Sequence, residues 1–187
     1  MTMTFIGLHG KAHSGKDTVA SILKTEHDFV GLAFATPIKD ALITMFGLQH
    51  IDFEGPAKER AIEWLGESPR KLMQTLGTDW GRLMIGEDLW IRSAGRRLKY
   101  HAMITGKVVV TDVRFENEAA WVRENGGVVW HIDRDTMPAS QVRRHSSEAG
   151  ICIRPGVDSL VDNNGTLEQL RGRICQALAG ELVVIYP

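Results

Sequence analysis

Residues Gly10 to Lys16 read G-K-A-H-S-G-K and run on into Asp17 and Thr18. The spacing is that of a phosphate loop, G-x-x-x-x-G-K, with an aspartate where a serine or threonine hydroxyl normally meets Mg²⁺. Ahead of it, Phe5-Ile6-Gly7-Leu8 is a short apolar run suited to a buried strand, and Asp17 to Lys24 behind it suits a helix. Strand, glycine loop and helix in that order surround an anion with backbone N–H groups and the positive end of a helix dipole. Gly10 and Gly15 permit backbone angles that residues with a Cβ avoid. Lys11 and Ser14 belong to the same cradle, and Lys16 would reach the β- and γ-phosphates of a nucleoside triphosphate. Asp17 would be repelled by polyphosphate unless a cation or donor intervenes. It is expected to hold Mg²⁺ through water or to accept a hydrogen bond from a second substrate, a plain helix cap being the alternative. Thr18 points about 100° further round the helix and does not simply replace the missing hydroxyl.

Further carboxylates and arginines fall where such a site would need them. Val108-Val109-Val110-Thr111-Asp112 reads as a buried strand ending in a carboxylate. Ligands of a parallel sheet lie beyond the carboxyl ends of its strands, so Asp112 is a second candidate for Mg²⁺, or else a cap for the helix that follows. Arg114 could touch a transferring phosphoryl group, or pair with Glu116 or Glu118. The polar stretch 133–148 carries Arg134, Arg143 and Arg144 and reads as an arginine-bearing lid, with a solvated loop as the alternative. His145, Ser146 and Glu148 are too close in sequence to form a hydrolytic triad. Arg70, Gln74, Thr78, Arg82 and Trp90 follow one another at short spacing. An arginine grips a monophosphate bidentately and an amide reads a base edge, so these residues, with Lys39, could hold a phosphorylated acceptor. Trp90 could stack on a base or fill a helical core.

The elements that must position these groups are legible as a pattern. Thr4–Leu8, Phe29–Phe34, Lys107–Thr111 and Val128–Ile132 are short, continuous apolar runs, and Ser159–Val161 is a weaker fifth. Such runs suit strands covered on both faces. Helical stretches at Glu116–Glu124, stopped by Asn125-Gly126-Gly127, and at Thr166–Leu178 lie between or after them. The alternation predicts a three-layer α/β domain with a mostly parallel five-stranded sheet and right-handed crossovers. Residues from about 36 to 105 form a helical insertion, with helices expected at Pro37–Phe46, Ala57–Leu65, Pro69–Leu76 and Asp88–Tyr100. Gly47, Gly66 and Gly77 serve as punctuation. The whole chain, 1–187, is expected to be one domain, with the lid at about 133–150. The run from Glu181 to Pro187 could be an edge strand or a packed tail.

Composition narrows the partners. The 187 residues are 43% hydrophobic and 24% charged, with a formal net charge of −1, which speaks against a nucleic-acid polymer as ligand. The 2 cysteines have no metal-ligand spacing. No apolar run is long enough to span a bilayer, and the chain opens on a strand pattern rather than a signal peptide. A cytoplasmic setting follows as the expectation.

The loop ending G-K-D-T, the F-A-T-P-I-K stretch, L-G-T-D-W-G-R, D-V-R-F-E-N-E at 112–118 and H-S-S-E at 145–148 together resemble bacteriophage deoxynucleoside monophosphate kinases, in order and over almost the whole chain. The resemblance implies the P-loop NTPase fold of the adenylate kinase type, ATP and Mg²⁺ as cofactors, and a dNMP as acceptor, in the host cytoplasm if the chain is phage-encoded. A homodimer is an allowed assembly. The resemblance also puts Lys16, Asp17 and Thr18 in the donor and metal site and Arg82 and Arg114 near the phosphates. It also sets Asn163 and Asn164 of D-N-N-G-T beside the donor base, with a plain loop and helix cap as the alternative. Among the arginines, Arg114, Arg134 and Arg143 are the expected catalytic ones. Rival readings are another small-metabolite kinase, of the dephospho-CoA or phosphomevalonate type, and a nucleotide-binding regulator without turnover.

Overall fold

The computed structural model describes residues 3–134 and 150–180. The expected Glu181–Pro187 element, Arg143 and Arg144, the group His145, Ser146 and Glu148, and nearly all of the expected lid lie outside the described residues.

Five strands form one parallel sheet: β1 Thr4–His9, β2 Val30–Leu32, β3 Lys107–Val110, β4 Val128–Asp133 and β5 Ser159–Asp162, in the order β2-β3-β1-β4-β5. β1, which leads into the glycine loop, is thus central, with β3 and β4 as its neighbours. The second strand is shorter than its apolar run, because Phe29 and Phe34 are buried without joining the ladder.

Helices cover both faces. On one, Ile6, Leu8, Val109, Trp130, Ile132 and Val161 pack with Val19 and Leu23 of α1 (Lys16–Glu26) and Leu170 and Ile174 of α6 (Leu167–Leu178). On the other lies α5 (Glu116–Glu124), whose Ala119 and Val122 are buried. A Cβ on Gly7 would meet Val113 and Val122 side chains at 3.0 Å, so β1 needs a glycine there for α5 to sit this close. Thr166 caps α6 by accepting from the Gln169 amide at 3.2 Å.

The chain divides into two compact units, Met1–Leu32 with Arg97–Pro187, and Ala33–Arg96. The second is helical, as expected of the insertion, but it ends inside α4 (Leu89–Thr105) rather than at 105. It holds α2 (Thr36–Phe46), two short 3₁₀ turns at His50–Phe53 and Ala57–Glu59, α3 (Pro69–Gln74) and a π-helix at Thr75–Ile85. The helix expected over Ala57–Leu65 is only the 3₁₀ turn: Arg60 is already extended, and the Gly66 amide closes a turn on the Ile62 carbonyl at 2.8 Å. Gly77 does not end a helix either; the chain stays helical through it. The reason is close packing. A Cβ on Gly77 would lie 3.0 Å from Ile38 Cδ1, and one on Gly81 would lie 2.5 Å from the Trp90 indole. π-Helices are rare and gather at functional sites.

Candidate active site

The glycine loop follows β1 directly and ends at the first turn of α1. Gly15 is the N-cap residue, with φ 95°, and Asp17 stands in the first turn. The Ser14 amide donates to the Lys11 carbonyl at 3.2 Å, rounding the loop. Gly10, φ 156°, has no room for a side chain: a Cβ would fall 2.5 Å from the Ile132 carbonyl and 2.6 Å from Ser14 Oγ. Ser14 is buried, and its Oγ has no hydrogen-bond partner among the described residues. A buried hydroxyl without a partner is costly, and a phosphate oxygen in the cradle would satisfy it. Lys16 curls back so that Nζ donates to the carbonyls of Gly10 and Lys11, each at 2.7 Å. Lys11, Asp17 and Thr18 are exposed on the rim of this loop.

Asp112 and Arg114 lie on the same edge of the sheet. The pairing of β1 with β3 continues past Val110, since the Val113 amide donates to the Leu8 carbonyl at 3.2 Å. This carries the D-V-R turn alongside the start of the loop. The amides leading into α5, those of Arg114 and Phe115, are taken by the Glu118 carboxylate at 2.8 and 3.1 Å. The Glu118 carboxylate thus caps the start of α5. Glu116 pairs with Arg123 at 2.9 Å and Arg154 at 3.5 Å rather than with Arg114, which stays exposed. Arg134 is exposed just beyond β4. Among the described residues no three His, Cys, Asp or Glu side chains form a ready metal cluster. Mg²⁺ is ordinarily held by one or two carboxylates together with phosphates and water, and the donor set of Asp17 and Asp112 fits that habit.

The two asparagines after β5 do different things. Asn163 is buried and its amide donates to the Ser14 carbonyl at 2.8 Å; a Cβ on Gly15 would collide with that amide. Asn163 thus braces the loop from behind, a correction to its expected place beside a base. Asn164 is exposed, with Nδ2 on Asp162 Oδ1 at 2.7 Å. It borders an open hollow of about 440 Å³ between the 162–165 turn and α6.

Within the helical unit the expected acceptor residues are unequal. Trp90 is only 9% exposed, its indole N–H donates to the Gly77 carbonyl at 2.8 Å, and its face lies on Gly81. It is packed inside and has no face to offer a base, so of the two readings open to it the core-filling one holds and its place in the acceptor site is corrected. Trp80 is the exposed partner, 43% accessible, its ring centroid 6.4 Å from that of Trp90. Arg70 is held by Glu59 at 2.6 Å. Lys39 Nζ lies 6.0 Å from the Phe53 ring centroid, a long cation–π contact. Gln74 closes α3, and Arg82 is half-buried on the π-helix.

Comparison with known proteins decides the family. The sequence model described as "Deoxynucleotide monophosphate kinase" matches residues 4–68 and 62–174. The chain belongs to the deoxynucleotide monophosphate kinase family. A protein of Acanthamoeba polyphaga mimivirus, given that activity provisionally in its name, is 33% identical over 92% of this chain and 94% of its own. The deoxynucleotide monophosphate kinase of Enterobacteria phage T4 is 26% identical over 94% of this chain and 99% of its own. A sugar kinase from Janibacter sp. HTCC2649 shares the fold, with a TM-score of 0.52, 16% identity and coverage of 98% and 99%. No helix among the described residues is long and apolar enough to cross a membrane.

In this family member the α5 side of the sheet also carries a buried charge network that motif reading misses. Asp158, fully buried just before β5, accepts from Arg123 Nε and Nη2 at 3.1 and 2.7 Å and from the Arg154 amide at 2.7 Å. His131 Nε2 donates to it at 3.2 Å. Burial alone would raise the Asp158 pKa, but the bonds from Arg123 and Arg154 outweigh it and hold the carboxyl below its usual value. Burial pushes His9 and His131 below 6.5, against the Val113 carbonyl in one case and Asp158 in the other. Both histidines therefore bind protons more readily unfolded than folded. The stability they give is full above pH 6.5 and is lost as pH falls below it toward their folded values. Calorimetry from about pH 8 to about pH 5 should show the melting temperature declining from near 6.5 downward; a rise on acidification would contradict this.

Proposed function

We propose that the chain is an ATP-dependent deoxynucleoside monophosphate kinase, moving the γ-phosphate of ATP to a dNMP to give dNDP and ADP. Family membership supports the reaction class. The observation that carries the site assignment is the loop itself: two glycines with no room for a Cβ, a buried Ser14 hydroxyl awaiting an acceptor, and Lys16 folded over the Gly10 and Lys11 carbonyls.

Catalysis of this kind is positioning and charge neutralisation. Loop amides and Lys16 hold the donor phosphates. Asp17 and Asp112 would hold Mg²⁺, which would offset phosphate charge. The acceptor's phosphate oxygen bonds to the γ-phosphorus as the bond to the β–γ bridging oxygen breaks, and ADP leaves. A phosphate monoester dianion is already nucleophilic at neutral pH, so no general base is required. Arg114 and Arg134 face the charge that spreads over the transferring group. The donor base rests in the hollow beside Asn164. The Ala33–Arg96 unit binds the acceptor through Arg82, with Trp80 as the accessible aromatic. The free cysteines Cys152 and Cys175 suit a reducing cytoplasm.

ADP formation measured with each dNMP and NMP in turn tests the reading. Turnover with at least one dNMP is expected. Turnover only with a non-nucleotide acceptor, or ATP binding indifferent to every dNMP, would overturn it. Arg82→Ala should raise the acceptor KM about ten- to a hundredfold, the worth of a charge-assisted hydrogen bond, with the donor KM little changed. An unchanged acceptor KM would remove Arg82 from the site.

A further inference from the structure

His9 is the last residue of β1 and hands the strand over to Gly10 of the loop. Its ring is held at both nitrogens. Nδ1 lies 3.1 Å from the Val113 carbonyl and must donate there, while Nε2 accepts the Ile151 amide at 3.4 Å. Those partners assign the neutral, Nδ1-protonated tautomer. The His131 ring stands edge-on to it, centroids 5.2 Å apart at 75°. Behind His131 come Asp158 and Arg123, and Arg123 Nη1 reaches Glu116 at 2.9 Å. The same side chains fasten residues 151–154: Glu116 takes the Cys152 amide at 3.3 Å, Arg123 Nη2 the Cys152 carbonyl at 3.1 Å, and Asp158 the Arg154 amide.

A buried ion pair adds little net stability over apolar side chains of the same volume; what it supplies is direction. Here the direction ends at one ring, and that ring joins the start of the glycine loop to Val113. Val113 stands between Asp112, assigned above to Mg²⁺, and Arg114, assigned to the transferring phosphoryl group. We propose that His9 is a positioning residue for phosphoryl transfer: it sets the Asp112–Arg114 turn at the working distance from the phosphate loop, and Asp158, through His131, holds its ring in that role. This rests on the donor-site reading already given.

The test is the steady-state kinetics of ADP formation, with melting temperatures, for the wild type, His9→Phe, His9→Asn and Asp158→Asn. Phenylalanine keeps the ring packed on His131 and removes both hydrogen bonds. Asparagine can present Nδ2 where Nδ1 was, restoring the bond to the Val113 carbonyl. His9→Phe should lower kcat about ten- to a hundredfold, the cost of a misplacement of about 1 Å, with both KM values within about threefold of wild type. His9→Asn should recover most of the loss. Asp158→Asn should lower kcat in the same sense, and if it fails to fold the His9 pair still decides. Wild-type kcat in His9→Phe, a loss carried by KM alone, or equal losses in the two His9 variants would overturn the proposal. A wild-type enzyme inactive with every dNMP would instead overturn the functional reading beneath it.

Discussion

Replacing Lys16 by alanine should reduce ADP formation by at least about two to three orders of magnitude, the usual cost of removing a donor aimed at charge that develops in the transition state. The melting temperature should move by only a few degrees. Nζ makes its two 2.7 Å bonds to loop carbonyls near the surface, and each such bond is worth about 1 kcal/mol net. The cradle does not depend on them for its shape. Gly10 is boxed in by the Ile132 carbonyl, and the Asn163 amide holds the Ser14 carbonyl from behind. Lys16→Ala should therefore fold normally and fail in turnover. Retained activity would remove the donor-site assignment, and a large fall in melting temperature would mean that the lysine is structural.

Trp90→Ala should have the opposite profile. Truncating a buried tryptophan costs about 3–5 kcal/mol, and here it also strips the Gly77 carbonyl of its donor. For a chain of this size the melting temperature should fall by about 10 °C. Trp90→Phe fills much of the space without the N–H and should recover most of the stability. If Trp90 held the acceptor base, Trp90→Ala would instead leave the melting temperature nearly unchanged and raise the acceptor KM strongly. Trp80→Ala is the contrasting substitution: its ring is substantially exposed, so its loss should be felt more in acceptor binding than in melting.

What could be read ahead of the structure was local. Four of the five strands announce themselves because a strand covered on both faces reads as a continuous apolar run, and Lys107–Val110 and Val128–Asp133 lie close to their expected bounds; Ser159–Asp162, with Leu160 exposed, gives only a weak signal. α5 and α6 carry their own stop and start signals, Asn125-Gly126-Gly127 and Thr166. Gly77 misleads for the same reason that glycine is informative elsewhere. Its missing side chain can mean a turn or a close neighbour, and only the neighbours, Ile38 for Gly77 and Trp90 for Gly81, tell which.

The glycine loop with its lysine and the alternation of strands and helices around the sheet were determined by the sequence alone, since each depends on residues a few positions apart along one stretch of backbone. Tertiary structure decided the rest. It turned Asn163 inward onto Ser14, buried Trp90 and left Trp80 outside, and gathered His9, Arg123, His131 and Asp158 on the α5 side of the sheet. Burial and hydrogen-bond partnership between residues so far apart in the chain are properties of packing, and no spacing rule in one dimension encodes them.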